Sequence, residues 1–321
     1  MVRYNHFFNK IVVFFNPGKA TYWHTITRNT LDSKPNVLGR YYLNFESKLN
    51  YPDKIDVNGI PLYTIAGLSY FHHPIVVCQY ALGIYEHLHQ SHFKNEKLKT
   101  EFLKQADWLL NNYIEINFGR GWNVGYDIPE YELHQPWFLG LAQGEAASVL
   151  TRAYQLTDNI KYLELAEDAI KPFEKNVSEG GLLNHFKSFP IYEEYPSNRR
   201  TVGALCGFMF ILFGFYDLML TNQNLLATDL FNKGIQSLKN LLPFYDLGYW
   251  SRYYLFDYPK EYVASYTYHS LQYEQLKSLY YITGEKVFLE YSQKWEKYSN
   301  SYYCKLTALA KKLTYAKKLS W

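Results

Sequence analysis

Cysteine, methionine and net charge are all scarce in this chain: 3 Cys, 3 Met, and 33 Lys plus Arg against 30 Asp plus Glu in 321 residues. Cys78, Cys206 and Cys304 lie far apart without ligand-type spacing, which excludes a disulfide framework and a zinc site. A reducing, cytoplasmic setting is the expectation. Charge that nearly cancels, and is evenly spread, leaves no footprint for nucleic acid; only residues 305–318 form a basic run. No Gly-rich nucleotide cradle, phosphate loop, HExxH or GxSxG motif occurs, and the adjacent His72 and His73 do not converge on one ion, so no cofactor and no metal are expected. The longest uncharged apolar run, 202–216, is shorter than the roughly 18 residues of a membrane span and is closed by Asp217, which predicts a buried helix. The apolar stretch 11–15 is likewise too short for a signal-peptide core.

What the chain has in excess is aromatic side chains, with 33 Tyr, 21 Phe and 7 Trp. Flat apolar faces with polar tips are what a sugar-binding cleft uses. Residues 1–73 carry scattered Pro and Gly between β-prone stretches such as 11–15 and 40–45, and read as an irregular arm with short strands. From 74 to 303, helix-length segments alternate with turn signals: 74–91, 95–117, 137–157, 159–175, 201–221, 225–241, 269–283 and 285–303. Three of the breaks match (Thr157-Asp158-Asn159, Thr221 to Asn224, Thr283-Gly284-Glu285), giving a degenerate repeat that predicts a mainly α fold: an incomplete (α/α) toroid of about four hairpins, followed by a basic tail over 304–321. The first helix of each pair is the more apolar and carries small residues, so it is expected inside, with the amphipathic second helix outside. The first helices then start at one rim, and a cleft is expected there.

Four clusters are expected at that rim, Tyr70-Phe71-His72-His73, Trp137 with Gln143, Tyr192 to Pro196 and Tyr266 to His269, and the stretches that could carry chemistry are the last two and Gly248 to Tyr254. Tyr192-Glu193-Glu194-Tyr195-Pro196 is either a solvated turn or the source of a carboxyl buried among aromatics, whose pKa would rise. Gly248 to Tyr254 is either a hairpin whose aromatics pack on a helix or a loop in which Trp250 forms a sugar platform and Arg252 pairs with a carboxylate. Tyr266 to Ser270 is either a packed Tyr and a satisfied core His269, or a set of hydroxyls and an imidazole at a helix start. Trp137, Tyr192 and Trp250 are expected to line a groove that stacks on sugar rings, with Gln143 near it.

These stretches resemble the C-terminal helical domain of the D-glucuronyl C5-epimerases, which act on heparosan and heparan sulfate precursors. The matching residues, within 137–298, are Leu141-Ala142-Gln143-Gly144-Glu145-Ala146 with Arg152-Ala153-Tyr154, then Tyr192 to Pro196, Gly207-Phe208-Met209 with Gly214 to Leu218, Leu242 to Asp246, and Tyr268-His269 with Gln275-Leu276. The family's preceding β-rich domains are expected to be shortened or absent here. The resemblance implies a uronate-containing polysaccharide as partner and interconversion of D-glucuronate and L-iduronate by proton removal and return at C5. It carries the catalytic roles onto Glu194, Tyr195, Tyr253 and Tyr268. Tyr253 and Tyr268 would exchange the proton from opposite faces, Arg252 would lower a phenol's pKa, and a protonated Glu194 would stabilise the intermediate. The family's Arg is Phe256 here and its Asn is Cys206, so Arg199, Arg200 or Arg252 would have to meet the substrate carboxylate. A lyase acting by β-elimination and a non-catalytic glycan-binding domain are the alternatives, and a homodimer is left open.

Overall fold

The computed structural model describes residues 14–15, 30–65, 67–257 and 261–318. Four helical hairpins follow one another: α1 (Pro74–Gln90) with α2 (Glu96–Asn111), α3 (Gly140–Thr157) with α4 (Ile160–Ile170), α5 (Leu205–Asn222) with α6 (Leu225–Tyr245), and α7 (Tyr266–Thr283) with α8 (Lys286–Asn300). The matched breaks are the turns of the last three. Each first helix ends on a left-handed residue, Asp158, Gln223 or Gly284, with φ of 54°, 55° and 73°. Asn159 and Asn224 then cap α4 and α6 by accepting from the backbone N–H of Lys161 and Ala227.

An antiparallel two-stranded ribbon follows each of the first three hairpins: β1 (Ile114–Ile116) with β2 (Gly119–Gly121), β3 (Leu183–Phe186) with β4 (Phe189–Tyr192), and β5 (Arg252–Asp257) with β6 (Glu261–Val263). The first of these takes up residues expected to end a helix at 117. The chain reverses there at Gly119, whose α-carbon leaves no room for a Cβ beside the Asp168 carbonyl.

The first helices are the buried ones. α5 sinks Leu205 to Phe215 into the core, so a helix apolar and long enough on composition to cross a membrane is packed inside the protein. α1 contacts α3, α3 contacts α5 and α5 contacts α7. The closest approach is made by glycines: a Cβ on Gly214 would stand 2.3 Å from the carbonyl oxygen of Gly144. The second helices bury one stripe each; α2 hides only Phe102, Gln105, Ala106 and Leu109.

The amino-terminal arm departs most from its sequence reading. Residues 40–45, expected as a strand, form an irregular buried path instead; residues 11–13 of the other stretch lie outside the described residues, and Phe14 packs on Trp250 at 5.8 Å between ring centroids. The path from Leu38 to Leu49 touches all four first helices. The Tyr85 hydroxyl of α1 donates to Leu38 O, Arg152 of α3 donates to Gly39 O and Arg40 O, the Tyr42 hydroxyl donates to Asp217 of α5 at 2.7 Å, and Ser278 of α7 donates to Tyr42 O at 2.9 Å. A strand was expected because β-branched and aromatic residues favour one. The chain instead meets helices on several sides, and their side chains satisfy part of its backbone, while Tyr42 O also accepts from Thr30 N at 2.9 Å.

The expected basic tail is a helix, α9 (Tyr302–Lys318), with residues 319–321 outside the described residues. It buries Ala308 in a small cluster with Phe14, Trp250 and Tyr266, and Lys312 donates to Val263 O at 2.9 Å.

Candidate active site

A pocket of about 350 Å³ opens at the rim where the first helices begin. Its wall is read off their first turns: Ile75 and Val76 of α1, Leu141 of α3, Cys206 and Phe210 of α5, Tyr268 and Leu271 of α7. Loops add Tyr126, Glu194 and Tyr195, strand β5 adds Tyr253, and the arm adds Phe45, Lys48 and Tyr63.

Glu193 and Glu194, adjacent in sequence, do different things. The carboxylate of Glu193 accepts from the backbone N–H of Val202 at 2.8 Å and Gly203 at 2.9 Å, and from Asn184, so it is buried and fixes the loop leading into α5. Glu194 lines the pocket. Its backbone carbonyl accepts from Gly140 N at 3.0 Å, and its carboxyl lies against Gly207, where a Cβ would stand 2.2 Å from Oε2. Gly207 is therefore the space that Glu194 occupies. Burial raises the Glu194 carboxyl to about 7, with the Tyr195 hydroxyl pulling the other way through a hydrogen bond.

Tyr253 and Tyr268 are in direct ring contact, with centroids 4.7 Å apart and planes at 57°. With the rings in contact, no sugar ring lies between their faces. Burial pushes the phenols of Tyr195, Tyr253 and Tyr268 up, and the nearby Glu194 charge pushes the same way. Arg252, expected to offset this, donates to Tyr254 O and, at 2.7 Å, to Leu255 O, and so holds its own ribbon. Near neutral pH the phenols keep their protons and the Glu194 carboxyl is divided between its two forms.

Several other expected positions fall outside the pocket. Trp250 is 0% exposed, stacks on the His269 ring at 3.8 Å and donates to Ala264 O, so it offers no face to a sugar. His269 is a core histidine: its ring nitrogens meet Ser251 Oγ at 2.6 Å and Trp295 O at 2.9 Å, and burial lowers its pKa to about 3. Tyr192 is buried with its hydroxyl on Leu230 O, and Gln143 ties Arg120 O to Ala169 O. Trp137 is buried, donates to Tyr126 O and backs Tyr195 at 6.5 Å. Arg199 pairs with Glu132 at 3.5 Å, and Arg200 lies 4.8 Å over the Phe256 ring. Phe256 in turn stacks on Tyr254, whereas Cys206 lines the pocket with its thiol 3.8 Å from Tyr268 O. In each case an aromatic or amide placed near the rim by sequence turns inward, where its polar atom meets backbone.

Besides Tyr195, Tyr253 and Tyr268, the aromatics that face the pocket are Tyr63, Tyr126, Phe45 and Phe210. His73 joins them as the N-cap of α1: its Nδ1 accepts from Ile75 N, it touches Tyr63 and Tyr126, and burial lowers it to about 4, so it is neutral. The signal for it was in the sequence, a His directly before the Pro that opens a helix. Tyr63 and Lys48 carried no such signal. Gln79 of the wall donates to Glu145 behind it at 3.1 Å, and burial raises Glu145 to about 8.

Glu145, Glu193 and Glu194 thus all bind a proton more tightly folded than unfolded, with pKa values of about 8, 8 and 7 against an ordinary 4.5. Above 4.5 the unfolded chain gives up these protons and the folded one keeps them, so stability from these groups is lost as pH rises toward 8. The melting temperature is expected to fall between pH 5.5 and pH 8; a flat or rising profile would mean that these carboxyls are solvated.

The fold and pocket define a helical-hairpin protein with one buried carboxyl and five phenols gathered at the rim of its first helices. A family model for the D-glucuronyl C5-epimerase C-terminus matches residues 117–297. The chain is 37% identical over 171 residues to a D-glucuronyl C5-epimerase of Caenorhabditis elegans, covering 48% of this chain and 27% of that protein. It is 32% identical over 178 residues to an uncharacterized protein of Methanocaldococcus jannaschii, covering 54% and 56%. The chain therefore spans about a quarter and about half the length of these relatives, and it belongs to the D-glucuronyl C5-epimerase family.

Proposed function

We propose that the protein is a C5-epimerase of a uronate-containing polysaccharide, built as an open (α/α) toroid whose rim pocket takes one uronate residue. The single observation that carries this is the meeting of Glu194, Tyr195, Tyr253 and Tyr268, from three separate stretches of sequence, in one pocket. Epimerisation needs a base on one face of C5 and an acid on the other. With the phenols held protonated, the base is the ionised Glu194, not a tyrosinate. It takes the C5 proton, the C–H electron pair moves into the substrate carboxylate, and Tyr253 or Tyr268 protonates the opposite face. Tyr195, hydrogen-bonded to Glu194 and to Tyr253, gives a route for the proton on Glu194 to return to the phenolate, so that the latter is not stranded in a buried pocket.

The test is incubation with heparosan and other hexuronans in deuterated water, followed by NMR at C5. Deuterium at C5 together with the inverted epimer is the expected result. An unsaturated product absorbing in the ultraviolet would make the protein a lyase, since the same intermediate can expel the C4 substituent. Binding without exchange would make it a glycan-binding domain.

A further inference from the structure

A carboxylate that enters a buried pocket has to find a cation there, because an unpaired charge out of water is costly. The three arginines that sequence offered are engaged at the ribbon or over Phe256 and Glu132, and none lines the pocket. Lys48 does line it, at 4% exposure. It belongs to the irregular path of the arm: a short turn of 3-10 helix, Glu46–Leu49, lies against α1, where Gly83 leaves space for the Lys48 Cβ and the Phe45 carbonyl. The Lys48 ammonium sits 5.7 Å from the Phe45 ring centre and within electrostatic reach of Glu145 behind the wall.

We propose that Lys48, delivered to the pocket by the amino-terminal path, is the cation that receives the carboxylate of the substrate uronate. The inference rests on the epimerase reading and names the group that reading lacks: as the C5 proton leaves, charge accumulates on that carboxylate, and an ammonium already beside it lowers the cost of the intermediate. The rest of the wall is apolar or phenolic apart from His73, Gln79, Glu194 and Cys206, and its hydroxyls recognise sugars in general. The ammonium is what selects an acidic sugar from a neutral one. Burial lowers the Lys48 pKa to about 8, with the nearby Glu145 pushing the other way, and a carboxylate arriving beside the ammonium favours its charged form.

The experiment measures affinity for two probes, a heparosan tetrasaccharide and its carboxyl-reduced counterpart, with wild-type protein, Lys48→Met and Lys48→Arg. Both probes see the same folded molecules, so their affinity ratio does not depend on how much of a variant is folded. Wild type is expected to prefer the acidic probe at least tenfold, Lys48→Arg to keep most of that preference, and Lys48→Met to lose it. A preference undiminished in Lys48→Met overturns the assignment of Lys48 and leaves the epimerase reading standing. A wild-type protein that binds both probes equally, or neither, overturns the reading on which the assignment rests.

Discussion

Glu194→Gln is expected to lower C5 exchange by about 10²–10⁴-fold, the usual worth of a positioned base, while leaving the fold in place. The amide matches the carboxyl in size, so the space above Gly207 stays filled and the Gly140 hydrogen bond to the Glu194 carbonyl is unaffected. What it cannot do is accept a proton from carbon. The pH profile supplies the second half of the test. If ionised Glu194 is the base, exchange by the wild type rises with pH through about 7 and then levels, because the carboxyl must be deprotonated to act. That limb should vanish in the variant. A tyrosinate base would instead place the rise far higher, since burial pushes these phenols up. Wild-type exchange in Glu194→Gln, or a profile still climbing at pH 9, would remove Glu194 from this role.

The second large effect is on stability. Arg152 of α3 and Asp217 of α5 form an ion pair at 2.7 Å with both side chains fully enclosed. The guanidinium also donates to Ser148 O, Gly39 O and Arg40 O, and the Tyr42 hydroxyl donates to the other Asp217 oxygen, so one buried pair anchors the arm to two helices. Arg152→Leu strands the Asp217 charge and two arm carbonyls, and should cost about 3–5 kcal/mol in denaturant unfolding. Replacing both partners with apolar residues removes the stranded charge and should cost less than the single change. A double variant at least as unstable as Arg152→Leu alone would mean that the arm contacts, not the ion pair, carry the effect.

The repeat and the burial order of the helices were legible because they depend on local patterns: alternation of apolar and amphipathic segments, and a turn signal at 158, 223 and 284 that the backbone meets with left-handed residues. Rim placement followed from helix direction, and it brought Glu194, Tyr195, Tyr253 and Tyr268 to one pocket. Side-chain direction was not legible. Trp250, just before the last ribbon, and Tyr253, within it, are three apart, yet the first is enclosed between His269 and Phe14 and the second faces the pocket. Composition cannot separate an aromatic that stacks on a sugar from one that fills a core, since both bury flat apolar area. The arm was hidden for a different reason. Its partners are helix side chains far along the chain, so no periodicity within residues 38–49 encodes where it lies.

The hydrogen bond from Ser278 to the carbonyl of Tyr42 joins residues 236 positions apart. A chain closed by so distant a contact pays its loop entropy before that contact repays it, which slows the last stage of folding. During vectorial synthesis Lys48 leaves the ribosome early, but the walls it reaches across to, Glu194, Tyr253 and Tyr268, are made much later. A nascent chain stopped after α6 would hold three hairpins and the arm with no seventh helix to dock against. Completion of the pocket is thus a late event in the molecule's assembly, and a circularly permuted chain in which the arm follows α9, closer to α7 in sequence, should reach its native state sooner than the natural order does.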